Sequence, residues 1–177
     1  MQPTESAVVV RIPEAEPLVG RFRADLDVAA GLGVPAHVTV LAPFVAPNLV
    51  GDEMIGALAE AIASVRSFDV TFARVAWFDR SVLWLAPEPA EPFQALTDAV
   101  WRRFPDCPPY RGEHQDLVPH LTVGIDQPPD ALESAARAIE PGLPVTATVS
   151  AAVLMRGSRE PGSWHAVAEL PLAPRPS

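Results

Sequence analysis

Two histidines in this chain are each followed, two positions later, by a threonine: His37-Val38-Thr39-Val40 and His120-Leu121-Thr122-Val123. With four His and seven Thr in 177 residues, composition alone yields two such matches roughly 1% of the time. Both copies also share an apolar residue between His and Thr, a Val after it, and a Pro within the two preceding positions. On a strand, residues two apart project from one face. Each His therefore points the same way as its Thr, while Val38, Val40, Leu121 and Val123 point into a core. Two imidazoles and two hydroxyls lining one cleft suit phosphodiester chemistry. A neutral imidazole takes a proton from the attacking oxygen and an imidazolium gives one to the leaving oxygen; His is the residue whose ordinary pKa allows both near neutral pH. The hydroxyls donate to non-bridging phosphate oxygens and hold the phosphorus between the rings. Neither a metal nor a cofactor is expected: the motifs carry no carboxylate and none of the usual zinc spacings.

The elements that must position these residues follow from periodicity. Ala7–Ile12 is a β-branched apolar run and reads as a buried strand. Leu18, Phe22, Leu26 and Ala29 share one helical face from Pro17 to about Ala30, which Gly31 and Gly33 stop. Ala36–Ala42 is a strand, and Asp52 is expected to cap a helix carrying Ile55, Leu58, Ile62 and Val65 inward. Phe68–Phe78 is a strand whose alternation changes phase near Arg74, as a bulge would make it. The pattern then repeats. Ser81–Ala86 is a strand, and Pro92 opens a helix with Phe93, Leu96, Val100 and Phe104 inward. Pro108–Gln115 is a loop, Val118–Ile125 a strand and Asp130–Ile139 a short helix. Val145–Met155 reads as one long strand, Ser163–Leu170 as the last strand, and 171–177 as a tail. The middle strands of the two halves align, with His37 and His120 83 positions apart. An internal duplication is the simplest account: a single bilobal domain over 1–177, repeat unit 1 at about 7–78 and repeat unit 2 at about 81–170, packed across a pseudo-twofold axis.

At these residues the chain resembles the two-histidine (2H) phosphoesterase superfamily, the LigT-like or 2′-5′ RNA ligase-like proteins and cyclic phosphodiesterases, whose pattern is a His-x-Thr/Ser-hydrophobic motif in each lobe. The resemblance implies an α+β fold with mainly antiparallel sheets forming a central groove and helices outside. It implies metal-independent hydrolysis of 2′,3′-cyclic phosphates or 2′-5′-type phosphodiester bonds in nucleotides or RNA ends, with a 2′-phosphate as product. His37 and His120 become the acid–base pair, and Thr39 and Thr122 the phosphate ligands. The order of acid and base stays open. After the first motif the chain reads Leu41-Ala42-Pro43-Phe44 where the ligase-type branch has a Phe-Leu-Gly-like ending. After the second, Gly124-Ile125 lacks the Arg often found there. Both departures favour hydrolysis over RNA ligation. The alternative from another class is a non-catalytic module that binds nucleotides or RNA ends on the same fold.

Other residues are weighed around this core. Arg156, in phase with Thr146 and Thr148 on the long strand, and Arg111, in the loop before the second motif, are candidate phosphate partners, with Arg159 in the following turn. Tyr110 and Phe44 flank the motifs as candidates to stack on a base, the alternative for each being packing in the core or the groove wall. Trp84 and Trp164 read as core, His114 as a loop histidine, and His165 has no evident partner. The lone cysteine, Cys107, excludes an internal disulfide and a four-cysteine zinc site; with His114 it forms a third, weaker hypothesis, a Cys-His hydrolase. The net charge is −9, and all 13 basic residues are Arg. Such a chain is poorly suited to coating long nucleic acid yet can hold one small anion with a few arginines. The expected partner is a small nucleotide or RNA end. No secretory signal and no membrane-spanning stretch is visible, so a cytoplasmic protein is the default expectation, and a monomer the default state.

Overall fold

The computed structural model describes residues 2–113 and 117–176. Its elements follow one another as β1 (Glu5–Arg11), α1 (Glu16–Leu26), α2 (Val28–Leu32), β2 (His37–Leu41), α3 (Asp52–Ala63), β3 (Phe68–Phe78), β4 (Val82–Glu88), α4 (Glu91–Arg103), β5 (Leu121–Ile125), α5 (Pro129–Ile139), β6 (Val145–Val149), β7 (Ala151–Gly157) and β8 (His165–Pro171). The strands form one eight-stranded sheet in the order β6-β3-β4-β5-β2-β1-β7-β8, and every ladder between neighbours is antiparallel. The motif strands β2 and β5 lie side by side at its centre, paired through Val38 and Leu121.

The helices exchange between halves. α1, from the first half of the sequence, packs on β5 and α5; α4, from the second, packs on β2 and α3. The α+β class and the outer placement of the helices are as expected. The alternating apolar positions explain why: Val8, Val10, Val38, Val40, Leu83, Leu85, Leu121 and Val123 are buried against Leu58, Ile62, Phe93, Leu96, Leu132 and Ile139 of the helices. A smaller apolar group, Ala7, Val9, Val34, Val153 and Met155, packs separately from this main core.

Four sequence expectations need correction. The long strand Val145–Met155 is two strands, β6 at one edge of the sheet and β7 beside the opposite edge, joined by Ser150. Two Cα–Cα steps span about 7 Å at most, so the flanks of the sheet must curl towards each other. There Leu172 N–H donates to Ser150 O at 2.9 Å, and Ala173 bridges Arg66. The segment after β8 is therefore no loose tail through Arg175: Leu172 is buried and the Arg175 guanidinium bonds both Asp69 carboxylate oxygens. The helix expected from Pro17 to Ala30 breaks at Asp27, whose extended backbone (φ −125°, ψ 111°) ends α1 and whose carboxylate accepts from Ala29 N–H to start α2. Asp52 lies inside α3 and makes no capping bond, Gly51 being the cap. The phase change in β3 is a bulge, as expected: Phe72 pairs with Pro87 and Val75 with Leu85, leaving Ala73 and Arg74 opposite one residue. Among the described residues no helix is long and apolar enough to cross a membrane.

Candidate active site

The single pairing of Val38 with Leu121 sets the geometry of the motifs. Continuing that antiparallel register by one residue each way puts His37 across from Thr122 and His120 across from Thr39. Four chemistry-bearing side chains, with His120 directly before β5, thus leave one face of two adjacent segments, around a local two-fold axis between Val38 and Leu121. Each strand also carries an extra residue directly after its Thr. Thr39 pairs with Val9 but Leu41 with Val8, and Thr122 pairs with Trp84 but Gly124 with Leu83. The extra residues, Val40 and Val123, are equivalent positions of the two motifs. Bulges end regular alternation, and here they turn two consecutive residues towards the helices while His and Thr keep the other face. At Gly124 the fit is tight: a Cβ there would lie 2.6 Å from Leu132 Cδ2 and 2.9 Å from Leu26 Cβ.

The imidazoles are held alike. His37 Nδ1 lies 2.8 Å from Pro35 O, and His120 Nδ1 lies 2.7 Å from Val118 O. A carbonyl only accepts, so Nδ1 carries the proton in both rings and Nε2 is left for chemistry. The same contact two residues back recurs at His165, at 3.1 Å from Ser163 O, so it is a local habit of these segments and the motif pairing is what singles out the other two. Their surroundings differ. Burial lowers the His37 pKa to about 4, opposed by the Pro35 carbonyl, with Arg23 and His120 lowering it further and Asp27 raising it. His120 instead meets aromatic edges, Phe78 at 5.0 Å and Trp84 at 5.9 Å between ring centroids, and these two stack on each other at 4.6 Å. Trp84 is buried and its Nε1 has no hydrogen-bond partner among the described residues.

Sequence reasoning missed Arg23. It sits on α1, 1% exposed. Its Nε donates to Thr122 O at 3.2 Å, and its NH2 group to Val34 O at 3.2 Å and Asp27 Oδ2 at 2.8 Å. One buried guanidinium thereby ties the second motif, the approach to the first, and the α1–α2 junction. Glu16, 3.8 Å from the same guanidinium, accepts from Ala36 N–H directly before His37. The available signal was Asp27 four residues after Arg23, a spacing that on most helices marks a solvated pair.

The other candidates scatter. Tyr110 is brought to the site: it is half-buried, and its hydroxyl is hydrogen-bonded to that of Thr39. Burial raises its pKa, against that bond, so the hydroxyl stays protonated. Its backbone is left-handed (φ 49°), as is that of exposed Arg111 (φ 57°), and its N–H donates to Ala42 O at 2.8 Å just beyond β2. Two consecutive non-glycine residues in that region mark local strain held by surrounding structure. Phe44 is 7% exposed and packs edge-on against Phe104 in the core. Arg156 pairs with Ser6 across β1–β7, in phase with Leu154 of the main core, whereas Thr39 pairs with Val9 on the other face. Its Nε donates to His165 Nε2 at 3.4 Å. The expected phase with Thr146 and Thr148 fails because those residues belong to β6. Burial and Asp106 raise the Cys107 pKa, which leaves the thiol a poor nucleophile; His114 lies outside the described residues.

The curled antiparallel sheet with outer helices, carrying paired His-x-Thr motifs at its centre, defines an α+β protein of the two-histidine phosphoesterase type. The chain belongs to the 2′-5′ RNA ligase superfamily, whose family model matches residues 12–161. That membership supports a phosphodiesterase-type function. Among solved structures, E. coli LigT complexed with 3′-AMP superposes with a TM-score of 0.61 at 17% identity, covering 97% of this chain and 99% of that one. LigT complexed with NADP+ gives 0.60 at 19%, covering 98% and 99%. The Thermus thermophilus protein TT0787 gives 0.58 at 15%, covering 94% and 97%. At such identities these likenesses speak for the fold. No curated protein matches the chain by sequence.

Proposed function

We propose that the protein hydrolyses a 2′,3′-cyclic phosphate on a nucleotide or RNA end, with His37 as base and His120 as acid. The observation that carries this reading is that two imidazoles share one face of a paired antiparallel segment, each across from the other motif's Thr and each with its Nδ1 proton directed at a carbonyl. His37 Nε2 takes a proton from water as the water oxygen bonds to phosphorus. The bond from phosphorus to the leaving ribose oxygen breaks, and that oxygen takes the proton from His120 Nε2. The roles follow from the surroundings: a ring kept neutral by burial and by Arg23 is the one able to accept a proton. An anionic phosphate between the rings stabilises the charged form and lifts the His37 pKa on binding. Thr39 and Thr122 donate to the non-bridging oxygens. LigT has been crystallised in complex with 3′-AMP, NADP+ and ATP, in keeping with a small nucleotide as the ligand class.

The test is turnover of a 2′,3′-cyclic nucleotide by His37→Ala and His120→Ala. Each is expected to lose roughly 10²–10⁴-fold. Undiminished turnover in either variant overturns the mechanism. Binding without turnover by the unaltered protein supports a binding module instead.

A further inference from the structure

We propose that the cleft beside Thr39 is a subsite for a guanine base, read by Asp98 and Gln94. It rests on the reading above in one respect: Thr39 is taken as a phosphate contact. The otherwise two-fold arrangement of the motif strands and their helices carries one asymmetry. α1 and α4 both begin Ala-Glu-Pro, at Ala15-Glu16-Pro17 and Ala90-Glu91-Pro92, and each packs on the motif strand of the other half. Counted from those prolines, Phe22 corresponds to Thr97 and Arg23 to Asp98. On the α1 side, Arg23 fills the seam and bonds the Thr122 carbonyl. On the α4 side, Thr97 takes the corresponding role with a bond to Val40 O at 2.7 Å. Asp98, at the Arg23 position, is exposed and makes no hydrogen bond or ion pair among the described residues. Among the described residues, the space that Arg23 occupies on one side is left open on the other.

That opening is a cavity of about 230 Å³ reached by Thr39, Gln94, Asp98, Tyr110 and Pro119. Sites for whole ligands run to about 300–1,000 Å³, so this one suits one ring system continuing from a phosphate at Thr39. No Arg, Lys or His among the described residues lines it, which argues against a second phosphate. Besides the hydroxyls of Thr39, Thr97 and Tyr110, its polar side chains are a carboxylate and an amide one helical turn apart on the same face. A carboxylate is acceptor-only and takes two parallel N–H donors. Guanine offers that pair at N1–H and the N2 amino group, with O6 beside them for the Gln94 amide N–H. Adenine sets a ring acceptor, N1, against the carboxylate, and uracil flanks its single N–H with carbonyls. The Tyr110 ring borders the same space and supplies a wall.

Guanosine 2′-phosphate, adenosine 2′-phosphate and uridine 2′-phosphate are titrated by calorimetry, beside cleavage of the matching 2′,3′-cyclic phosphates. The guanosine ligand is expected to bind about 10- to 100-fold tighter than the adenosine one, the discrimination of a bidentate base contact. Asp98→Asn is expected to remove that preference while leaving the uridine affinity and the thermal midpoint unchanged. Equal affinities, no binding of any of the three, or a preference that survives Asp98→Asn overturns the subsite. A preference that depends on Asp98 in a protein that cleaves no cyclic phosphate upholds the subsite and refutes the hydrolase reading. Equal cleavage of all three cyclic phosphates does the reverse.

Discussion

His37, the proposed base, is also a group whose titration the fold shifts strongly. Its folded-state pKa of about 4 lies below the ordinary 6.5 because burial disfavours the imidazolium. Between those values the unfolded chain binds more protons than the folded one. Stability therefore rises with pH across this window and is lost as pH falls from about 6.5 towards 4, by up to about 3 kcal/mol. Replacing His37 by Gln is expected to flatten that part of the stability curve, measured as denaturation midpoints at pH 7 and pH 4.5. With His37 as the proposed base, the same shift sets the acid limb of activity. The free-enzyme profile, kcat/KM, is expected to fall near pH 4, and the kcat profile at a higher pH because bound phosphate raises the pKa. A kcat/KM limb at 6.5 contradicts a buried neutral base. At this scale the sequence was informative where spacing carries the chemistry: His37, Thr39, His120 and Thr122 are legible because a period of two places them on one strand face. Tyr110 was legible only as a neighbour, since its bond to Thr39 depends on a loop conformation that composition does not encode. Arg156 was misplaced because β6 and β7 keep an unbroken alternation through Ser150.

Among the elements, α1 and its junction with α2 tie the second motif to the approach of the first through one side chain. Arg23, buried between Asp27 and the carbonyls of Thr122 and Val34, replaces bonds those groups would otherwise make to water. Removing one partner of a buried pair leaves the other charged and alone, which costs about 3–5 kcal/mol. Arg23→Leu is thus expected to lower the thermal midpoint by roughly 10 °C, at the 2–4 °C per kcal/mol that fits a chain of this size. Changing Arg23 and Asp27 together to apolar residues of similar volume is expected to recover much of that loss. If the single change leaves the midpoint within 1–2 °C, the junction is not the anchor described above. Sequence could not show this. An Arg followed by an Asp four residues later reads as a surface pair until the helix is seen to lie across β5. The duplicated Ala-Glu-Pro at 15–17 and 90–92 was a legible signal of the equivalence between α1 and α4, and it points directly to positions 23 and 98.

Over the whole molecule, the two halves of the sequence bring one motif each to the candidate site. Each half gives one imidazole and one hydroxyl, and each half's first helix braces the other half's motif strand. Under the proposed mechanism, proton uptake at one ring and delivery at the other belong to a single event at one phosphorus. Groups that act as a unit are not additive: once one is removed, the second has little left to contribute. The double variant His37→Ala/His120→Ala is accordingly expected to retain a residual rate within about tenfold of either single variant, not the product of the two losses. The residual rate comes from positioning by Thr39 and Thr122, which survives both changes. Rates on a 2′,3′-cyclic nucleotide for the two single variants and the double variant decide the matter. Losses that multiply mean that the rings act in separate steps, and the exchanged architecture then has no shared catalytic event to explain it.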